Sequence, residues 1–323
     1  MTLLLRESDV RALLTMPDTV ACVEAAMKAQ GESQARNMPR QRIKLPRGTL
    51  HMLAGADLTG ESGGYAGVKA YTSFREGNRF LTMLYGADNG RLLAIVESDY
   101  LGMMRTGAAS GVATKHLARA DADVLAIFGS GWQARGQVLA VAAVRELKQV
   151  RVYSRDAGRR QKFAEELGKE TGVESVACES PAEALDGALV VATATTAREP
   201  VFPSDAVADG THINAAGSNA LIRREIDERL VRRAGLVTVD SRAQAREEAG
   251  DLLVPAERGW LDWDLVPELS TIIAGYARGR TDDSEVTLFE SQGMGLQDVA
   301  AAALVYEKAT EAGRGEQLTF FES

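Results

Sequence analysis

The segment Gly129-Ser130-Gly131-Trp132-Gln133-Ala134 constrains this chain most, because it directly follows the apolar run Asp123-Val124-Leu125-Ala126-Ile127-Phe128. A buried-type strand that ends in a Gly-x-Gly-x-x-Gly/Ala turn and opens a helix is the fingerprint of a dinucleotide-binding unit. The reason is steric and electrostatic. Gly129 permits the tight turn, Gly131 lets the backbone approach a pyrophosphate, and Ala134 keeps the helix close to the sheet, so that helix N-terminal amides face the phosphates. Ser130, Trp132 and Gln133 complete the loop as cofactor-binding candidates. A second strand, Val150-Arg151-Val152-Tyr153, follows about 20 residues on, as the motif requires. Beyond it come a helix over 157–170 and the strands Leu189-Val190-Val191, His212-Ile213-Asn214 and Leu236-Val237-Thr238-Val239. Such alternation predicts an α/β fold with a parallel sheet of Rossmann type, helices on both faces.

The end of the second strand selects the nucleotide. NAD sites usually place Asp or Glu there to accept from the ribose hydroxyl. This chain has Tyr153-Ser154-Arg155, with Arg159 and Arg160 close behind. A hydroxyl and guanidinium groups suit a 2′-phosphate, so NADP(H) is preferred. NAD(H) is the alternative, with Asp156 serving the ribose and Arg155 capping a surface turn.

The N-terminal third has a different rhythm. Pro17 to Gln30 reads as a helix with Val20, Val23 and Met27 on one face and Gly31 as its stop. Arg42-Ile43-Lys44-Leu45, Leu50-His51-Met52-Leu53, Gly67-Val68-Lys69-Ala70-Tyr71 and Leu92-Leu93-Ala94-Ile95-Val96 then read as strands separated by turn signals. Short connections imply a mostly antiparallel, α+β unit. A small-residue helix from Thr106 to Leu117 leads into the nucleotide unit, and an Ala-rich helix over 296–312 is expected to return to the N-terminal part.

Composition excludes several roles. A length of 323 residues suits two domains, and a net charge of −8 argues against nucleic acid or an anionic membrane as partner. Two distant cysteines, Cys22 and Cys178, and three histidines, His51, His116 and His212, offer neither a disulfide framework nor metal-ligand spacing. That usage suits a reducing cytoplasm. Met1-Thr2-Leu3-Leu4-Leu5-Arg6-Glu7 lacks a signal-peptide pattern, and no run of about 20 apolar residues is present.

Several segments together resemble the ornithine cyclodeaminase/mu-crystallin family. They are Ala66-Gly67-Val68-Lys69, Arg105-Thr106-Gly107-Ala108-Ala109-Ser110, the glycine loop through Arg135, Thr193-Ala194-Thr195-Thr196, Asn214-Ala215-Ala216-Gly217-Ser218-Asn219, Glu248-Ala249-Gly250-Asp251 and Thr287-Leu288-Phe289-Glu290-Ser291-Gln292-Gly293. The resemblance implies a discontinuous substrate-binding and dimerisation domain, 1–115 with 300–323, around a nucleotide domain at 116–299, and a homodimer formed through the N-terminal sheets. It places Thr193, Ala194, Thr195, Asn214 and Ser291 at the cofactor. It also implies that Arg42, Lys69 and Arg105 hold the α-carboxylate of a small imino or amino acid, with Thr82 and Asn219 lining the pocket. A carboxylate suits a bidentate guanidinium, and Arg105 is read as opening a helix whose dipole adds positive potential. Lys69 lies in a strand of small and apolar residues, either buried and paired or turned outward. For Arg42, the neighbouring Arg36, Arg40 and Arg47 leave the register open, and His51 is read either as a pocket residue or as structural.

One departure narrows the chemistry. Where the family's cyclodeaminases carry a functional Asp, this chain has Asn219, and an amide is no general base near neutral pH. The expected activity is therefore NAD(P)H-dependent reduction of small cyclic α-imino acids such as Δ1-pyrroline-2-carboxylate or Δ1-piperideine-2-carboxylate. Lys69 or an ordered water would supply the proton, with Lys69, Arg105 and Asn219 as the catalytic set. Ornithine or lysine cyclodeamination, an alanine-type dehydrogenase and a non-catalytic NADPH-binding protein are the alternatives.

Overall fold

Two seven-stranded sheets organise the chain, each within its own unit. The computed structural model describes residues 1–60 and 63–320, so 321–323 of the expected C-terminal segment lie outside the described residues. The first unit comprises Met1–Arg105 and the chain from Gly293 onward, and the second comprises Thr106–Gln292.

The first sheet runs, in spatial order, Glu316–Leu318, Thr2–Leu5, Leu92–Glu97, Gly77–Gly86, Tyr65–Phe74, Gly48–Asp57 and Ala35–Leu45. All neighbours are antiparallel except Thr2–Leu5 with Leu92–Glu97. Gly77–Gly86 was not among the expected strands, because it begins with the exposed Gly77, Asn78 and Arg79 and shows its apolar character only from Phe80. Leu53, Lys69, Thr82 and Val96 stand opposite one another across four strands, so their side chains share a face. All four are buried.

The helix Gly295–Ala312 covers that face and ends at Gly313, whose φ of 63° is left-handed. Its approach depends on missing side chains in the strands. A Cβ on Gly55 would lie 2.5 Å from the Leu296 backbone nitrogen, and one on Gly67 would lie 2.9 Å from Val299 Cγ2. The other face of the sheet is apolar and open, with Met38, Ala54, Ala56, Ala66, Val68 and Tyr85 lining a groove of about 400 Å³.

In the second unit every strand pair is parallel, in the order Leu236–Val239, Thr287–Glu290, His212–Ala215, Val190–Thr193, Val124–Phe128, Gln149–Tyr153, Glu174–Ala177. This is the doubly wound arrangement, whose switch point lies beside Val124–Phe128. Val190–Thr193, His212–Ala215 and Thr287–Glu290 are buried throughout, which accounts for their unalternating sequences.

The units divide earlier than the expected breaks after 115 and 299. The helix that leads into the second unit spans Asp99–Leu117 rather than starting at Thr106, and the division falls inside it. From Thr106 onward it belongs with the second unit, where a side chain at Gly107 would collide with the Gly136 carbonyl. At the other crossing, 293–299 join the first unit because the helix Gly295–Ala312 packs along the first sheet as a whole.

Replacing Gly55 with Val forces strand and helix apart. Overpacking of this kind costs about 1–3 kcal/mol, so the thermal midpoint should fall by roughly 4–10 °C. A Gly55→Val protein that melts like the wild type would refute the close approach.

Candidate active site

A lysine placed in a strand that packs under a helix needs a partner, because an unpaired buried ammonium is costly. Lys69 is only 3% exposed, and its Nζ donates to Asp298 Oδ1 at 2.8 Å. Arg105 Nε donates to the same oxygen at 2.8 Å, and its Nη1 donates to Gln297 Oε1 at 3.3 Å. Two buried cations thus share one carboxylate oxygen, while Asp298 Oδ2 accepts no hydrogen bond. Asp298 lies in the first turn of its helix, where the dipole favours negative charge. Burial alone would raise its carboxyl, but the Arg105 and Lys69 cations hold it below the ordinary value. Burial pulls the Lys69 ammonium down to about 8 against the opposing pull of Asp298, with Arg105 and Arg40 adding to the fall.

Arg105 does not open its helix. It stands in the second turn after Asp99, beyond the reach of the helix terminus, so its potential comes from its own charge and neighbours. Glycines make room for these cations. A side chain at Gly293 would strike the Arg105 guanidinium, and a Cβ on Gly102 would lie 3.0 Å from Lys69 Nζ.

Among the arginines of the strand Ala35–Leu45, the structure buries Arg40, whose Nη2 lies 3.4 Å from the Gly293 carbonyl, and leaves Arg42 half-exposed opposite His51. The ladder with Gly48–Asp57 is irregular between Met38 and Gln41, which is where Arg40 turns inward. Thr82 is buried opposite Lys69 and accepts from the Ser98 hydroxyl at 2.8 Å. His51 stacks on Tyr71 with ring centres 4.3 Å apart, and Tyr71 packs against Phe80. Lys69 Nζ lies 5.3 Å from the Phe80 ring centre. Burial, then Arg42, Arg40 and Lys44, push His51 down to about 4, so it is a neutral member of an aromatic row rather than an acid at neutral pH.

The second unit carries the glycine loop. Gly129 has φ of 122°, and a Cβ there would lie 2.6 Å from the Ala194 carbonyl, so both backbone shape and close approach demand glycine. Nothing lies within 4 Å of a Cβ built on Gly131, the N-cap of the helix Trp132–Val144. The loop therefore leaves open space in front of helix amides, as a pyrophosphate requires. Ala134 is buried, whereas Trp132 and Gln133 are exposed. Ser130 Oγ donates to Ser154 Oγ at 3.0 Å.

Asp156 caps the helix Ala157–Thr171 by accepting from the Arg159 N–H at 2.9 Å. Arg155 and Arg159 are exposed, and Arg159 Nε lies 3.8 Å from Asp156 Oδ2. Arg160 is buried, bonded to the Ser154 carbonyl at 2.7 Å and to Glu179 at 2.9 Å. The side chains of Thr193, Asn214 and Ser291, also expected at the cofactor, are buried and bonded within the unit. Thr193 Oγ1 donates to Glu225, and Ser291 Oγ to Asp240 at 3.3 Å. Asn214 lies between His212 Nε2 at 3.2 Å and Thr114 Oγ1 at 2.9 Å. Thr195 offers its backbone N–H to Glu225, and Asn219 Oδ1 accepts from Arg223 at 3.4 Å.

Sequence reasoning missed Asp298, and it chose Arg42 while leaving Arg40 as a neighbour in an open register. The signal for Asp298 was available, since it is an acid inside the apolar stretch Leu296–Ala303. Among the described residues, no group of three or more His, Cys, Asp or Glu could hold a metal ion, and no helix is long and apolar enough to cross a membrane.

Comparison with known proteins gives a consistent answer. The ornithine cyclodeaminase/mu-crystallin family profile matches residues 1–313. The chain is 36% identical to a Δ1-pyrroline-2-carboxylate reductase of Bacillus cereus, over 98% of this chain and 100% of that protein. Among solved structures it is similar to Thermococcus litoralis Δ1-pyrroline-2-carboxylate reductase in complex with NADH and L-proline, with a TM-score of 0.92, 35% identity, and 98% and 100% of the two chains covered. An archaeal alanine dehydrogenase dimer with bound NAD matches with a TM-score of 0.91, 30% identity, and 99% of each chain covered.

Removing the shared carboxylate leaves two buried cations facing each other. Asp298→Ala should lose about 3–5 kcal/mol, read as a lower denaturant midpoint. An unchanged midpoint would show that the Asp298 contacts are not those described.

Proposed function

The chain belongs to the ornithine cyclodeaminase/mu-crystallin family, and we propose that it is an NAD(P)H-dependent reductase of small cyclic α-imino acids of the Δ1-pyrroline-2-carboxylate and Δ1-piperideine-2-carboxylate type. The observation that carries this reading is the buried pair Lys69 and Arg105 on a single oxygen of Asp298. Two cations on one carboxylate leave a net positive charge, which the α-carboxylate of an imino acid would complement. Arg105 orients it and Lys69 adds a point charge.

The glycine loop fits the nucleotide, with open space at Gly131 and helix amides behind it. When bound, the reduced nicotinamide supplies a hydride to the imine carbon. Binding the carboxylate fixes that carbon for attack and removes the entropy cost of a loose encounter. The iminium form accepts hydride more readily than the neutral imine, so a proton belongs on the ring nitrogen before or during transfer. With its pKa near 8, Lys69 can both hold that proton near neutral pH and release it. The product is the cyclic secondary amino acid.

Asn219 supports reduction of a preformed C=N bond over cyclodeamination, since an amide is not a base near neutral pH. NADP(H) is the preferred cofactor in this reading. Asp156 is engaged as a helix cap, while Ser154 and Arg155 follow the second strand and Arg159 is exposed in the first turn of the next helix, where they would meet a 2′-phosphate. The open apolar face around Ala54, Ala56, Ala66 and Val68 supports a homodimer built through the first sheet.

Purified protein should oxidise NADPH when Δ1-pyrroline-2-carboxylate is added. Lys69→Met should lower kcat/KM by about 100-fold, near the 2–5 kcal/mol typical of a lost buried charge contact. In the wild type, kcat/KM should fall above pH 8, because Lys69 loses the positive charge that attracts the carboxylate. Ammonia and proline formed from ornithine, with no ketimine reduction, would overturn this reading. Arg155→Ser should shift the ratio of NADPH to NADH efficiency toward NADH by about tenfold, one charge-assisted hydrogen bond's worth. An unchanged ratio would remove Arg155 from cofactor choice.

A further inference from the structure

Five carboxyls are buried in the second unit, those of Glu225, Asp240, Glu248, Asp251 and Glu290. Glu225 differs from the others in what it joins. Its Oε1 accepts from the Thr195 N–H at 2.6 Å, and its Oε2 accepts from the Gly217 N–H at 2.8 Å. The Thr193 hydroxyl meets Oε2 at 2.8 Å. These partners lie where the chain leaves two adjacent parallel strands, Val190–Thr193 and His212–Ala215, at their carboxyl ends. In a doubly wound sheet, ligands bind outside those ends, and the second half of the sheet serves the second nucleotide of a dinucleotide.

Glu225 is itself held from behind. Its own N–H and that of Ile226 both donate to Asp251 Oδ1 at 2.7 Å, and its carbonyl accepts from the Val201 N–H at 2.9 Å. The fit in front is equally tight. A Cβ on Gly217 would lie 2.5 Å from each Glu225 carboxyl oxygen and from the Thr195 nitrogen. The Gly217 segment runs on to Asn219 within two residues.

We propose that Glu225 is a positioning residue, a buried carboxyl clamp that sets the spacing of the loops Thr193–Thr195 and Gly217–Asn219 and so shapes the nicotinamide side of the nucleotide site. This rests on reading the second unit as the dinucleotide site. Burial holds the Glu225 carboxyl above its ordinary value, and the Thr195, Thr193 and Gly217 donors offset only part of that rise. The donor set fits the carboxylate, whose two oxygens both accept from it. Glutamine cannot reproduce it, since its NH2 group would face one of those N–H donors.

The test compares wild type, Glu225→Gln and Thr193→Val. NADPH binding is followed by fluorescence titration, and KM for Δ1-pyrroline-2-carboxylate, kcat and the thermal midpoint are measured in parallel. Glu225→Gln should weaken NADPH binding about tenfold and lower kcat, as expected for one orphaned backbone donor. Its KM for the imino acid should change less than its NADPH affinity, because Lys69, Arg105 and Asp298 belong to the first unit. Thr193→Val removes only the hydroxyl arm and should weaken NADPH binding about threefold, which keeps the test open if Glu225→Gln fails to fold. A lower melting point with unchanged NADPH affinity in the folded variant would make Glu225 a scaffold residue and overturn the proposal. An unchanged affinity for Thr193→Val would do the same. A wild type that binds NADPH normally while the variants do so equally well defeats only the clamp. A wild type that binds neither NADPH nor NADH defeats the reductase reading and the clamp together.

Discussion

Asp298 Oδ1 accepts from both Lys69 Nζ and Arg105 Nε, and much of the first unit is arranged around that shared oxygen. The lysine comes from the middle of a central strand, the arginine from the second turn of a helix, and the aspartate from the first turn of the last helix. Bringing them together requires the last helix to lie close to the sheet, which Gly55 and Gly67 allow. A buried cluster of this kind is a poor device for stability, because desolvating three charges offsets much of their attraction. It is a good device for holding a small anion, because the cations are fixed in position before the ligand arrives.

The two units solve related problems with different chemistry. In the proposed reading the first offers side-chain cations to a carboxylate, where orientation matters and a guanidinium can provide it. The second offers backbone amides at a helix start to a pyrophosphate, where close approach matters and glycine provides it. Gly129 is fixed on two counts, its positive φ and the Ala194 carbonyl beneath it, whereas Gly131 keeps the front of the loop open.

Some of this was legible in the sequence because it depends on local rules. The glycine loop has its meaning from the strand before it and the helix after it, and the parallel sheet follows from the alternation behind it. Lys69 stood out as a charge in an apolar strand. Other features depend on contacts distant along the chain. Arg40 rather than Arg42 is buried because the strand is irregular between Met38 and Gln41, and a basic run gives no sign of such an irregularity. Asp298 could be noticed as an acid in an apolar helix, but its partners lie 229 and 193 residues away. Thr193, Asn214 and Ser291 lie at the strand ends where a cofactor is expected, yet their side chains bond within the unit. A residue's place beside a ligand and its side chain's direction are separate facts, and only the first follows from a motif.

The central claim is that hydride passes from the nicotinamide to the α-carbon of an imino acid whose carboxylate is held by Lys69 and Arg105. Turnover of Δ1-pyrroline-2-carboxylate with NADPH carrying deuterium at both nicotinamide C4 positions, followed by mass and NMR analysis of the product, measures that transfer directly. The account predicts proline carrying one deuterium at its α-carbon, and no such product from an Arg105→Met enzyme that still binds NADPH. Proline without deuterium, or unimpaired transfer by the Arg105 variant, would contradict it.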